Sequence, residues 1–177
     1  MAEPMQAEQT RARAPDAALE LALDRAAATC QRHGAQLTEL RRQVLRLVLQ
    51  SAQPIGAYAL LDQLKGARRG AAPPTVYRAL DFLLAQGLIH KVERLNAFIG
   101  CDESGHGHAH GSDHPHQFLI CGQCGTTAEI CDSATIAAIA AAAGRSGFIP
   151  HRTTIEVEGL CARCAAQAPA QPQAGAS

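Results

Sequence analysis

The 177-residue chain has no tryptophan, two methionines and only 3% aromatic residues. Any core must therefore be built from Ala, Leu, Val and Ile rather than from stacked rings. No run of 18 apolar residues occurs, which excludes a membrane-spanning helix and leaves no membrane partner to expect. The first 30 residues mix Glu, Asp, Arg and Gln with Ala and lack the apolar stretch of a signal peptide, so the expected location is the cytoplasm. Net charge is zero, which removes any global field that would draw the chain to a polyanion. The charge is nevertheless uneven. Residues 1–98 hold 13 Lys+Arg against 9 Asp+Glu, and residues 99–177 hold 3 against 7, so only the front half has the sign that a phosphate-bearing partner requires. No Ser/His/Asp set or paired-carboxylate arrangement is evident, and neither an enzyme nor a small-molecule substrate is expected.

Cysteine, by contrast, is present seven times. Four of these residues form two knuckles, Cys121-Gly122-Gln123-Cys124 and Cys161-Ala162-Arg163-Cys164. In a reducing cytoplasm such pairs are metal ligands or thiols rather than disulfides. A two-residue spacer bends the backbone so that both sulfurs point to one centre, and four thiolates from two such turns match a tetrahedral structural zinc site. Iron in a rubredoxin-like site takes the same ligand set. The 36 residues between the knuckles leave room for a strand, a helix and a strand.

A second constellation comprises His90, Cys101, His114, His116 and Glu129. His106, His108 and His110 stand nearby in a Gly-rich stretch that reads as a solvated, accessory metal-binding tract. A mixed nitrogen, sulfur and oxygen site drawn from both halves of the chain would let a metal set their relative orientation.

Hydrophobic spacing predicts helices over Ala17 to Arg32, from a Thr38 cap through Val48, over Ala57 to Lys65, and from Pro73-Pro74 to Gly87. Strands Leu88 to Glu93 and Ala97 to Gly100 follow around an Arg94-Leu95-Asn96 turn. Helices followed by a two-stranded ribbon describe a winged helix-turn-helix. Thr75-Val76-Tyr77-Arg78 opens its last helix, where the helix amino-terminus and Thr75 suit a phosphate and Tyr77 and Arg78 suit a major groove. Tyr58, Arg41, Arg42, Arg68, Arg69 and Lys91 complete the candidate DNA contacts. Strands at Gln117 to Ile120, Thr126 to Ile130 and Thr153 to Val157, with an Ala-rich helix Ser133 to Gly144, make the back half α/β.

The expected class is α+β: a tail over 1–15, a winged-helix DNA-binding domain over 16–98, a His-rich hinge over 99–116, an α/β dimerisation and metal-binding domain over 117–164, and a second tail over 165–177.

Three segments carry a family resemblance: Pro73-Pro74-Thr75-Val76-Tyr77-Arg78-Ala79-Leu80-Asp81-Phe82-Leu83, Gly87-Leu88-Ile89-His90-Lys91-Val92-Glu93 and Ile120-Cys121-Gly122-Gln123-Cys124-Gly125. From about Leu21 to Cys164 the chain resembles the ferric uptake regulator family of bacterial metal sensors, most closely its zinc uptake regulator branch. The resemblance implies a homodimer whose winged helices grip an AT-rich palindromic operator in double-stranded DNA. It also implies two zinc ions per subunit: a structural zinc on Cys121, Cys124, Cys161 and Cys164, and a sensory zinc on His90, Cys101, His114 and Glu129. The implied function is zinc-dependent repression of zinc-uptake genes. Pro54 and Thr153 stand where iron and peroxide sensors of the family carry histidines, which argues against a third metal site. Two other readings remain at this point. One is a redox or other-metal sensor of the same family, using Cys30, Cys101 or Cys131; the other is a zinc storage protein built on the His-rich loop.

Overall fold

The computed structural model describes residues 16–67, 72–101, 116–151 and 153–167. In chain order the elements are α1 (Asp16–Arg32), α2 (Glu39–Gln50), β1 (Ile55–Gly56), α3 (Ala57–Ala67), α4 (Pro73–Ala85), β2 (Ile89–Val92) and β3 (Ala97–Gly100). These are followed by β4 (His116–Cys121), β5 (Thr127–Ile130), α5 (Ser133–Arg145), β6 (Thr154–Gly159) and α6 (Ala162–Gln167).

The four front helices bury one aliphatic stripe each. Leu19, Leu23 and Ala26 of α1, Val44, Leu45 and Val48 of α2, Leu60, Leu61 and Leu64 of α3, and Val76, Ala79, Leu80 and Leu83 of α4 form a single cluster. Each fully buried leucine in it contributes about 1.5–3 kcal/mol of apolar transfer, so the scarcity of rings does not prevent a stable core. Pro73 and Pro74 occupy the first positions of α4, where a missing N–H costs nothing. The helix ends in a Schellman turn: Leu88 N–H donates to the Leu83 carbonyl and Gly87 N–H to that of Leu84. Gly87, at φ +67°, supplies the left-handed residue this closure needs.

Two short features escape the sequence pattern. β1 has two residues and pairs antiparallel with β3, Ile55 opposite Phe98, giving the sheet order β1-β3-β2. α6 reaches Gln167, three residues into the segment read as a tail. Thr38 stands at the N-cap of α2 without a side-chain capping bond. Asp132 does cap α5, accepting from Ala134 N–H.

The second sheet has the order β5-β4-β6, with β4 antiparallel to β5 and parallel to β6. Its register sets Glu129, Phe118 and Glu156 in one cross-strand row, and Thr127, Ile120 and Glu158 in the next but one. Side chains alternate between faces along a strand, so these rows share a face. That face receives the β2–β3 ribbon: Val92 and Ile99 pack on Phe118 and Ile120 in a small buried cluster. Among the described residues the opposite face is covered only in part, Gln117 being buried on it. Leu119, Val157 and Ile139 are exposed, as are Phe148, Ile149 and Leu160, and α5 buries no residue at all. Apolar surface of that extent is what a partner covers.

Candidate metal centres and nucleic-acid interface

β4 ends in the first knuckle and β6 delivers the second. Because β4 and β6 are parallel neighbours, with Cys121 opposite Gly159, both turns emerge at the same end of the sheet. The Sγ atoms of Cys121, Cys124, Cys161 and Cys164 all lie within 4.8 Å of one another, and Cys124 Sγ is 3.7 Å from Cys161 Sγ. A disulfide requires about 2.05 Å. Thiolates around a tetrahedral zinc at about 2.3 Å stand about 3.8 Å apart, so the four sulfurs fit such an ion. Gly125, at φ +71°, lets the first knuckle turn back, its N–H donating to the Cys121 carbonyl.

The local electrostatics suit thiolate ligation. The Cys124 thiol is pulled down to about 5, first by the Thr126 hydroxyl 3.1 Å away and then by the Thr126 backbone N–H. Backbone N–H groups of Cys161 and Cys124 lower Cys121. Burial, followed by the neighbouring sulfurs, pushes Cys164 up to about 12. Of the four thiols, Cys124 is thus the most readily ionised and Cys164 the least. Zinc loading at pH 7 is expected to release fewer than four protons per four-cysteine site, measurable with an indicator dye in weak buffer. Because protons compete for the same sulfurs, zinc retention should weaken as pH falls toward the Cys124 value.

The second constellation is partly assembled. His90 on β2 is buried, 3% exposed, and its Nε2 lies 3.6 Å from Glu129 Oε1 on β5. Donors sharing a tetrahedral metal at about 2.0–2.2 Å stand roughly 3.4 Å apart, so this pair fits one. His90 also meets the Phe118 ring at 6.2 Å between centroids. In the ribbon His90 pairs with Ile99, which places Cys101, two residues on, diagonal to His90 on the same face. The Cys101 N–H donates to the Leu88 carbonyl, holding the residue at the ribbon's end. His106, His108, His110 and His114 lie outside the described residues, as does the side chain of His116.

The remaining candidates divide by their neighbours. Thr75, Tyr77 and Arg78 are exposed along α4, and Tyr58 is exposed at the start of α3. The chain has two tyrosines, and both are exposed on this one unit. Lys91 pairs with Glu93 at 2.5 Å. Arg41 stacks over Phe82, 3.5 Å from the ring centroid, and donates to the Gln36 carbonyl. Arg42 is held by Glu20 at 2.9 Å and Asp24 at 2.8 Å. These last two guanidiniums are thus engaged by neighbouring residues at the partly exposed surface of the helices. Arg68 and Arg69 lie outside the described residues.

The sequence reading missed several residues between the two sheets. Gln53 Nε2 donates to the Cys124 carbonyl. Glu156 accepts from the N–H groups of Glu93 and Arg94, and Arg94 pairs with Glu158. The alternation Thr154-Ile155-Glu156-Val157-Glu158 carried a usable signal, two carboxylates on one face of a strand.

Residues 32–158 match the profile of the Ferric uptake regulator family. The zinc uptake regulation protein of Escherichia coli (strain K12) is 41% identical over 138 residues, covering 76% of each chain. A zinc uptake regulator solved in complex with zinc and DNA superposes with a TM-score of 0.76 at 38% identity, covering 84% of this chain and 96% of that one. Holo XcZur superposes with a TM-score of 0.71 at 42% identity, covering 81% and 96%.

Proposed function

The chain belongs to the ferric uptake regulator family, and from that premise we propose that it is a zinc-responsive, DNA-binding repressor of zinc-uptake genes. It acts as a homodimer on an AT-rich palindromic operator. The observation that carries this reading is the pairing of His90 with Glu129, a metal-competent contact between the winged helix and the second sheet, beside a separate four-cysteine centre. The nearest support comes from the zinc uptake regulators that the chain resembles, one of them solved with zinc and DNA.

Two zinc ions per subunit fit the donors. Cys121, Cys124, Cys161 and Cys164 hold the structural ion, and His90, Cys101, His114 and Glu129 hold the sensory one. Bound zinc supplies strong bonds to nitrogen, sulfur and oxygen without redox chemistry. Everything else is done by the chain. His90 and Cys101 sit on the ribbon and Glu129 on the second sheet, so their common ligation fixes the winged helix against that sheet. The exposed apolar surface of Leu119 and Val157 is where the second copy packs. Dimerisation through it sets the distance between the two α4 helices, which two half-sites of an operator must match. A zinc-filled sensory site favours that geometry, and by reciprocity operator DNA tightens the sensory zinc.

The test is fluorescence anisotropy on fragments upstream of a zinc importer, across buffered free-zinc, iron and manganese series. Binding is expected with zinc alone; binding indifferent to metal would overturn the reading. Thr75, Tyr77 and Arg78, with Tyr58 and Lys91, form the proposed DNA surface. Arg78→Ala is expected to weaken operator binding by about 1–3 kcal/mol, roughly 5- to 150-fold, with zinc content unchanged.

A further inference from the structure

The turn of the β2–β3 ribbon, Glu93 to Asn96, is exposed, yet its backbone is tied to β6. Glu93 N–H donates to Glu156 Oε1 at 2.6 Å and Arg94 N–H to Glu156 Oε2 at 2.9 Å. One carboxylate thus receives two successive backbone donors, a charge-assisted and geometrically specific contact. Arg94 adds an ion pair to Glu158, two residues further along the same face of β6. Inside the turn, Asn96 adopts φ +45° and donates from its N–H to the Glu93 carbonyl, so the donors presented to Glu156 are held in a closed hairpin.

The register gives this contact its meaning. Glu156 and Glu129 lie in one row on either side of Phe118, about two strand spacings apart, ~10 Å. His90 and Glu93 are three residues apart on the outgoing strand, also ~10 Å when extended. β2 therefore crosses the second sheet along that row. It meets Glu129 at its His90 end and Glu156 at its Glu93 end, with Val92 seated on Phe118 between them.

We propose that Glu156 is a positioning residue for DNA binding: it clamps the far end of β2, so that ligation at His90 sets the orientation of the winged helix instead of leaving it to pivot. This rests on the DNA-binding reading above. The buried cluster of Val92, Ile99, Phe118 and Ile120 and the Gln53–Cys124 hydrogen bond also join the two sheets, but neither holds the ribbon's turn; the contact at Glu93 and Arg94 does, and together with His90–Glu129 it fixes the direction of β2. Without the contact at Glu93 and Arg94, the sensory site can fill while the recognition helices remain free to miss their half-sites.

The experiment compares the full-length, zinc-loaded wild-type dimer with Glu156→Ala, Glu156→Gln and Arg94→Ala. Glu156→Gln keeps the side-chain volume should the alanine variant fold poorly. Zinc per protomer and dimer mass are expected to stay at wild-type values. Amide hydrogen exchange at Glu93 and Arg94 should accelerate in both Glu156 variants, while the amides of α4 keep their protection. Operator affinity at saturating zinc should fall roughly tenfold or more in Glu156→Ala and less in Glu156→Gln. It should fall least in Arg94→Ala, which keeps both backbone donors. Wild-type exchange rates at Glu93 and Arg94 in the Glu156 variants would overturn the clamp. Accelerated exchange with unchanged operator affinity would overturn its role in positioning. A wild-type protein that binds no operator in zinc would refute the DNA reading instead, and the exchange comparison would still decide the clamp.

Discussion

Replacing Cys121 by serine is expected to strip the knuckle zinc and unfold the second sheet, leaving a monomer without operator binding. The magnitude follows from comparing two energies. Apparent binding free energies of structural zinc are about 10–16 kcal/mol, and because no preformed site exists in the unfolded chain that energy is folding energy. Whole domains are stable by only about 5–15 kcal/mol. The second sheet has little else to draw on. Its buried apolar residues against the ribbon are Phe118 and Ile120, α5 buries nothing within one chain, and Leu119, Val157 and Leu160 are exposed. Loss of one of four thiolates should therefore exceed what remains. The check is zinc per protomer by mass spectrometry, with far-ultraviolet circular dichroism and sedimentation. The front helices carry their own aliphatic core and should keep their helical signal. A Cys121→Ser protein that is dimeric and zinc-replete would remove the knuckles from the structural role.

The opposite phenotype is expected of the proposed sensory donors. Cys101→Ser and Glu129→Gln should give folded dimers that retain the knuckle zinc and no longer respond to free zinc. Serine is nearly isosteric with cysteine but is a poor ligand for zinc, and glutamine keeps the shape of Glu129 while removing the charge that faces His90. Neither residue belongs to the helical core, so the fold should survive. Allosteric coupling runs at about 1–3 kcal/mol per site. Two sites in a dimer then predict a loss of operator affinity of roughly 2–6 kcal/mol at saturating zinc, detectable as a flat anisotropy curve across the free-zinc series. Retained zinc response in both variants would move the sensory site elsewhere. Because Cys121→Ser and Cys101→Ser should differ in folding as well as in binding, identical behaviour would erase the distinction between two kinds of site.

How much of this was legible before the fold depends on how local each signal is. The knuckles were visible because their ligands are three residues apart within each turn and repeat as a unit. The four front helices were visible because each buries a stripe of leucine, valine or alanine at helical spacing, punctuated by Pro73-Pro74 at one start and Gly87 at one end. His90 and Cys101 could be placed on the outgoing and returning strands because a hairpin's register follows from its turn. β1 stayed hidden because two residues carry no period. Arg41 and Arg42 read as candidate phosphate contacts, and nothing in a one-dimensional pattern brings Phe82, Glu20 or Asp24 against them.

By itself, then, the amino-acid sequence determined the winged helix, the four-cysteine centre and the residue types available to a second metal, since each rests on contacts within a turn, a helix or a hairpin. The tertiary structure alone decided that β6 lies parallel to β4, and with it that Glu129, Phe118 and Glu156 share a row beneath the ribbon. Parallel pairing joins strands more than thirty residues apart through a crossover. No local turn sets its register, so the partners of Glu93 and Arg94 became known only when the two sheets met.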